Sequence, residues 1–142
     1  MSTLERAIVI AAEAHAGTTD KAGQPYILHP LRVMLRLSTL DERVVAVLHD
    51  VLEDTKVTRE ELRVAGFGEP VIEALDSVTK REGEDYDAFV RRAARNPIGR
   101  RVKLADLADN SDRSRMPTPT SEDEARFAKY ERAMEVIRRS PE

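Results

Sequence analysis

The chain has 142 residues, of which 41% are hydrophobic and 35% are charged, a balance typical of a soluble globular protein. The net charge is −3 and aromatic residues make up 4%, so the basic face and stacking platforms of a nucleic-acid-binding protein are not expected. No apolar run approaches the roughly 18 residues of a membrane span. The absence of cysteine excludes disulfides and thiolate metal ligands.

The length and the first residues lead to further expectations. A chain of this size fits one domain, and we expect a single domain over 1–142. The opening segment MSTLERAIVI lacks the pattern of a signal peptide and the chain has no cysteine, so we expect a cytoplasmic protein. The mildly negative charge and the lack of a long apolar run lead us to expect neither nucleic-acid nor membrane partners. The sequence leaves open whether identical chains form a homo-oligomer.

Apolar residues at helical spacing predict helices along the whole chain, and no segment reads as a strand. The starts of these helices are indicated by prolines in a first turn and by Asp, Thr or Ser at the preceding cap. The predicted helices cover 3–15, Pro30 to Leu37, Asp41 through the motif VLHDVLEDT at 47–55, Thr58 to Gly66, Pro70 to Val78, a segment capped by Asp85 or Asp87, Pro97 to Leu107, and Ser121 to Ile137. The pattern predicts an all-α bundle of about seven or eight helices.

The motif VLHDVLEDT places four polar residues inside the pattern of a buried helix. If the helix is continuous, His49 and Glu53 stand one turn apart, as do Asp50 and Asp54. Proteins rarely bury such groups unless they are paired or bind a metal. Because the chain has no cysteine, the ligands of a metal here would be His, Asp or Glu.

Two residues outside the motif complete a candidate metal site. His29 stands at a helix start, and Asp106 is flanked by apolar residues that favour an inward direction. Taken singly, His29 suits a structural histidine and Asp106 a surface or capping aspartate, while Glu53 and Asp54 suit a solvated helix end. Their joint occurrence favours a site for Mn²⁺, Fe²⁺ or Zn²⁺ with open positions for a water of lowered pKa.

Six segments carry a resemblance to a known family, and they occur in family order over nearly the whole chain. They are AHAG at 14–17, KAGQPYILHP at 21–30, LHDVLEDT at 48–55, FG at 67–68, VTK at 78–80 and VKLADLADN at 102–110. By these segments the chain resembles the HD-domain hydrolases, and among them the hydrolase domain of the alarmone-metabolising Rel/SpoT enzymes and the small alarmone hydrolases.

The resemblance implies an HD-domain bundle with a divalent metal, usually Mn²⁺, although another divalent transition metal remains an alternative. It implies four metal ligands, namely His29, His49, Asp50 and Asp106. Glu53 and Asp54 resemble the family's acidic pair, which orients or deprotonates the attacking water. Asp54 lies one turn beyond Asp50, as suits a general base, and Glu53 either orients His49 or shares the proton.

The resemblance also implies a small-molecule nucleotide substrate and a reaction. Lys21 would meet a pyrophosphate, Tyr26 would line the pocket and Asn110 would touch the nucleotide. The implied activity is that of a guanosine 3′,5′-bispyrophosphate (ppGpp) 3′-pyrophosphohydrolase, which releases pyrophosphate through a metal-activated water.

Departures from the family pattern concern the substrate rather than the metal. Asp20, Leu107 and Asp112 stand where the family is usually basic, although Arg113 or Arg115 could compensate. One alternative is therefore an HD-type hydrolase of another nucleotide or phosphorylated metabolite. A second alternative is a non-catalytic metal- or nucleotide-binding module, against which the intact pair of Glu53 and Asp54 argues.

Overall fold

The computed structural model of the protein describes residues 3–141, and over these residues the all-α prediction is confirmed. The only pairing of extended backbone in this range is an isolated bridge between Thr19 and Pro25. A 3₁₀ turn covers Arg113–Arg115. The α-helices of the described range are α1 (Leu4–Ala14), α2 (Leu28–Leu35), α3 (Leu40–Leu48), α4 (Val51–Asp54), α5 (Arg59–Val64), α6 (Glu69–Ser77), α7 (Tyr86–Ala94), α8 (Pro97–Asn110) and α9 (Ser121–Arg139). Between residues 3 and 141 no helix combines the length and apolarity needed to cross a membrane.

Several predicted helix starts are confirmed by the caps that the structure shows. The Thr58 side chain accepts a hydrogen bond from the backbone of Glu61 at the start of α5. Of the two aspartates considered for α7, Asp85 is the cap. A proline occupies the first turn of α6 and of α8, where a missing N–H breaks no helical hydrogen bond.

Two predicted caps are wrong by one or two residues. Thr39 rather than Asp41 caps α3, and Thr120 rather than Ser121 caps α9. In each case the threonine hydroxyl accepts from the backbone three residues later, and the acid at that position accepts from the threonine N–H. This reciprocal capping box satisfies two free donors at once, which a single capping side chain does not.

The core is organised around α3 and α8. Helix α3 packs on α1, α2, α6 and α8, and its residues 45–48 are completely buried. Helix α8 contributes Val102 and Ala105 to this core and Leu107 to a second apolar cluster with α7 and α9. Because α8 belongs to both clusters, it determines how α9 lies relative to the helices around α3.

Two arginines of α8 attach it to its neighbours through hydrogen bonds. The Arg100 guanidinium donates to the carbonyls of Ile137 (2.6 Å) and Ser140 (2.8 Å) and so satisfies the free carboxyl end of α9. The Arg101 guanidinium lies 3.1 Å from the buried carboxylate of Glu42 at the start of α3. These contacts hold α8 between α3 and α9.

A glycine allows α8 to approach α6 closely. A Cβ at Gly99 would lie 2.0 Å from the Ser77 Oγ and 3.2 Å from the Ser77 Cβ. We predict that Gly99→Ala lowers the free energy of unfolding by about 1–2 kcal/mol, because overpacking exceeds the helix-propensity gain of roughly 1 kcal/mol.

Urea unfolding monitored by circular dichroism measures this loss. The wild type is the reference. An unchanged free energy of unfolding in Gly99→Ala would contradict the close approach of α6 and α8.

Candidate metal centre and adjoining cavity

The motif VLHDVLEDT does not form the continuous helix that was predicted, and this expectation is wrong. Helix α3 ends at Leu48 and α4 begins at Val51, with His49 and Asp50 in the turn between them. Asp50 adopts φ −100° and ψ −4°, at the edge of the right-handed helical region. Consecutive side chains on a helix diverge by about 100°, whereas here the His49 Nε2 and Asp50 Oδ2 atoms are 3.1 Å apart.

The structure brings all four predicted metal ligands together. The Asp106 Oδ1 atom on α8 lies 2.9 Å from the His29 Nε2 atom and 3.2 Å from the His49 Nε2 atom. The Asp50 Oδ2 atom is 3.9 Å from His29 Nε2. Ligand atoms of His29, His49 and Asp50 all lie within 4.8 Å of one another. Helices α2 and α8 and the turn after α3 each contribute to the cluster.

This donor set fits a divalent transition metal. The His49 Nδ1 atom donates to the carbonyl of Ala46 (2.5 Å), and the His29 Nδ1 atom lies 2.6 Å from the Asp109 Oδ2 atom. Each imidazole therefore keeps an Nε2 lone pair that points into the cluster. Two imidazoles with two carboxylates match the preference of Mn²⁺, Fe²⁺ or Zn²⁺ for mixed nitrogen and oxygen ligands.

The charges of the cluster favour a cation. Burial lowers the pKa of His49, but the carboxylates of Asp50 and Asp106 outweigh it and hold that pKa well above its usual value. Burial also lowers the pKa of His29, yet its hydrogen bonds with Asp106 and Asp109 raise it overall. The field that attracts protons to these imidazoles also attracts a metal ion, so metal binding would displace protons.

The Asp106 carboxylate has two further partners on its own helix. The Lys103 Nζ atom lies 3.0 Å from Asp106 Oδ2 and also stands over the Phe89 ring. The Asn110 amide donates to Asp106 Oδ1 at 3.2 Å. Asn110, which was predicted to touch the nucleotide, therefore contacts a candidate ligand as well as the cavity described below.

Neither Asp109 nor its partner Arg32 was singled out from the sequence. The Asp109 side chain is completely buried, and it accepts hydrogen bonds from Arg32 Nε (2.9 Å) and Arg32 Nη2 (3.1 Å) in addition to its contact with His29. The Arg115 Nη2 atom lies 3.4 Å from Asp109 Oδ2. A spacing of three residues after Asp106 puts Asp109 on the same side of α8, a signal that was available in the sequence.

The two predicted catalytic acids lie on α4. The Glu53 Oε1 atom accepts the backbone N–H of Lys80 at 2.8 Å. Glu53 therefore does not orient His49, whose Nδ1 atom donates to Ala46 instead. Partial desolvation, followed by the carboxylates of Asp50 and Glu53, raises the pKa of Asp54 to about 6, although its side chain stays exposed.

A cavity of about 740 Å³ adjoins the cluster. Its lining includes Lys21, Tyr26 and Asn110, the three residues predicted to meet a substrate, and also Glu53. Within residues 3–141, Asp54 is not part of this lining. The Tyr26 hydroxyl donates to Asp50, so this tyrosine both lines the cavity and holds a candidate ligand.

The charged side chains of the cavity are balanced. Six cations stand against six carboxylates, and two of these carboxylates belong to the metal cluster. A divalent cation would make the lining positive overall, which suits an anionic ligand. The cations are Lys21, Lys80, Lys103, Arg115, Arg126 and Lys129, and the acids are Asp20, Asp50, Glu53, Asp106, Asp112 and Asp123.

Aromatic side chains are concentrated at the cavity, which the sequence analysis missed. Four of them come from α7 and α9 and the fifth is Tyr26, so five of the six aromatic residues of the chain line one cavity. The five are Tyr26, Tyr86, Phe89, Phe127 and Tyr130. A low overall aromatic content therefore did not reveal this local surface.

The acidic departure at position 20 has a structural role. The Asp20 Oδ1 atom accepts the backbone N–H groups of Ala22 (2.9 Å) and Gln24 (3.0 Å), which shapes the loop that carries Lys21. Its other oxygen lies 4.0 Å from Arg115 Nη1. The Asp20 carboxylate is therefore occupied by loop contacts.

The other two positions that differ from the family pattern, Leu107 and Asp112, also have structural roles. Leu107 is completely buried, and Asp112 caps the 3₁₀ turn by accepting from Ser114. Of the two arginines considered as compensating cations, Arg115 lines the cavity. Arg113 instead pairs with Glu124 at 2.7 Å.

Comparisons with known proteins identify relatives of this chain. The chain is 37% identical over 119 residues to the guanosine-3′,5′-bis(diphosphate) 3′-pyrophosphohydrolase of Aquifex aeolicus, an alignment that covers 75% of the chain and 17% of the relative. It is 35% identical over 150 residues to the probable GTP pyrophosphokinase of Mycobacterium leprae, covering 96% of the chain and 18% of the relative. The chain thus spans less than a fifth of the length of these relatives.

A solved structure supports the fold. It belongs to a metazoan ortholog of SpoT that hydrolyzes ppGpp, and it superimposes with a TM-score of 0.77 at 22% identity, over 99% of this chain and 88% of the other. The family profile described as HD domain matches residues 7–110, a range that contains His29, His49, Asp50 and Asp106. Because that match covers more than half of its length, the chain belongs to the HD domain family.

Proposed function

We propose that the protein is a Mn²⁺-dependent phosphohydrolase that removes pyrophosphate from the 3′ position of ppGpp. The observation that carries this proposal is the convergence of His29, His49, Asp50 and Asp106 beside a cavity lined with cations and aromatic rings. The names of the curated relatives supply the reaction that such a site would perform.

The four ligands would hold the metal, and acids of α4 would handle the proton. When bound, the cation polarises a phosphoryl oxygen and lowers the pKa of water. Water adds to the phosphorus that is attached to the ribose 3′ oxygen, the bond between that phosphorus and oxygen breaks, and pyrophosphate leaves. Glu53 and Asp54 are the nearby carboxylates that would accept the proton of the water, and the ribose 3′ oxygen gains a proton.

The cavity has the size and chemistry for a nucleotide with several phosphates. A volume of about 740 Å³ lies within the range of small-molecule sites, about 300–1,000 Å³. Lys21 would offset the charge of the pyrophosphate as a mobile ammonium group. Tyr130 on α9 would offer its ring to a base, and Asn110 would offer its amide.

Two positions in the structure favour a second class of substrate. Asp20 is occupied by backbone N–H groups and Leu107 is buried in the core, so neither position presents a cation to a guanine nucleotide. Another nucleotide or a phosphorylated metabolite is therefore the alternative substrate. Its chemistry at the metal would be the same, so a panel of phosphate compounds distinguishes the two.

We predict that loss of the acidic pair abolishes turnover while metal binding persists. With Mn²⁺ and ppGpp, Asp54→Asn and Glu53→Gln should each lower kcat by about 10²–10⁴-fold, the usual contribution of a proton-transfer group. Asp41→Asn, an exposed acid in the first turn of α3, is the control and should match the wild type. Release of pyrophosphate measures the rates. Wild-type protein that binds Mn²⁺ but hydrolyses no nucleotide of the panel would refute the enzyme proposal.

We predict that chelation removes activity but not the fold. After EDTA treatment and dialysis, Mn²⁺ should restore turnover better than Mg²⁺ or Ca²⁺, because two imidazole ligands disfavour ions that prefer only oxygen. Metal at about 100 times its dissociation constant should also stabilise the protein by about 2.7 kcal/mol. Thermal unfolding with and without Mn²⁺ measures this shift. Full activity in EDTA would contradict the metal assignment.

We predict that the loop contacts of Asp20 matter for substrate binding. Asp20→Ala removes two hydrogen bonds of about 1 kcal/mol each, so KM should rise by up to about 30-fold with little change in kcat. Asp20→Asn keeps the Oδ1 acceptor and serves as the matched control, with KM close to that of the wild type. Steady-state kinetics distinguishes the two variants. An equal rise in KM for both would indicate that the charge of Asp20, rather than its loop contacts, is required.

A further inference from the structure

The ring nitrogens of the two candidate ligand histidines are held in different ways. The His49 Nδ1 atom donates to the backbone carbonyl of Ala46, a partner that no side-chain substitution removes. The His29 Nδ1 atom instead faces the Asp109 carboxylate at 2.6 Å. The orientation of His29 therefore depends on one side chain that comes from another helix.

The Asp109 carboxylate is itself fixed by two arginines. Arg32 donates to both of its oxygens, from Nε at 2.9 Å and from Nη2 at 3.1 Å. Arg115 donates to the backbone carbonyl of Asp109 (2.5 Å) and approaches its Oδ2 atom (3.4 Å). The side chain of Asp109 is 1% exposed, so these contacts compensate a charge that burial would otherwise make costly.

His29 and Arg32 on α2 have different roles. Arg32 follows His29 by three residues, so α2 supplies both a candidate ligand and a cation for the carboxylate that orients it. With two arginines as donors, Asp109 has only acceptor capacity to offer His29. The hydrogen between them must therefore be carried by His29 Nδ1.

We propose that Asp109 is the positioning residue of His29, which it holds in the Nδ1–H form with the Nε2 lone pair directed at the metal. The inference rests on the metal ligands of the proposed function, and Asp109 acts on one of them without being a ligand itself. A carboxylate behind a ligand histidine typically contributes 10–100-fold to metal affinity.

An isosteric substitution tests the proposal. In Asp109→Asn the oxygen at the Oδ1 position keeps Arg32 Nε as its donor. The amide nitrogen takes the Oδ2 position, where it donates to His29 Nδ1 and where Arg32 Nη2 and Arg115 Nη2 lose their acceptor. The analogous carboxylate-to-amide change in the serine protease triad leaves the geometry intact but produces the wrong tautomer. We expect His29 to carry its proton on Nε2 and Mn²⁺ affinity to fall by about 10–100-fold.

Two measurements that do not depend on turnover read this out. Isothermal titration with Mn²⁺ measures the affinity, and long-range ¹H–¹⁵N correlation spectra of the Zn²⁺-loaded and metal-free protein report the tautomers of His29 and His49. His49 is the internal control, because its Ala46 contact is unchanged in the variant. Asp87→Asn, which removes an exposed carboxylate paired with Arg91, is the control for affinity and should equal the wild type.

The wild-type spectrum tests the proposal without any substitution. A wild-type His29 with its proton on Nε2 in the Zn²⁺-loaded protein would overturn it, as would an Asp109→Asn variant with unchanged tautomer and affinity. If no nucleotide is hydrolysed but Asp109→Asn still weakens metal binding and changes the His29 tautomer, the proposed function fails and this inference stands.

Discussion

Asp106 carries a carboxylate into the interior, where donors from three parts of the chain surround it. The imidazoles of His29 and His49, the Lys103 ammonium and the Asn110 amide all lie within 3.2 Å of its oxygens. Burial alone would raise the pKa of Asp106, but Lys103 and the two histidines hold it well below its usual range. The site depends on this contact, because removal of any one partner would leave a buried charge poorly compensated.

The bundle brings these partners together through one break and one shared helix. The turn between α3 and α4 carries both His49 and Asp50, whose Nε2 and Oδ2 atoms lie 3.1 Å apart. Helix α8 belongs to both apolar clusters, so it delivers Asp106 to the metal side and aligns α9 as the opposite wall of the cavity. The same helix therefore joins the proposed chemistry of the metal to the proposed recognition of the substrate.

The net charge and the aromatic content of the whole chain did not predict the composition of the cavity. A net charge of −3 and an aromatic content of 4% describe the complete sequence, whereas the cavity collects six cations and five aromatic rings. Asp20 and Asp112 cap backbone turns, and Leu107 lies in the core, so positions that differ from the family pattern have structural roles. Basic groups from Arg115, Arg126 and Lys129 stand in the lining instead.

Periodicity, prolines, caps and ligand types are local properties of the chain, and from them the helical class, most helix starts and the four candidate ligands were predicted. The other contacts of the site depend on how the helices pack. The contact of His29 with Asp109 joins residues 80 positions apart, and that of Arg32 with Asp109 joins residues 77 apart. No local period encodes such pairs, since they arise only when α2 packs against α8. The continuous-helix prediction failed at His49 and Asp50, which lie in the turn between α3 and α4.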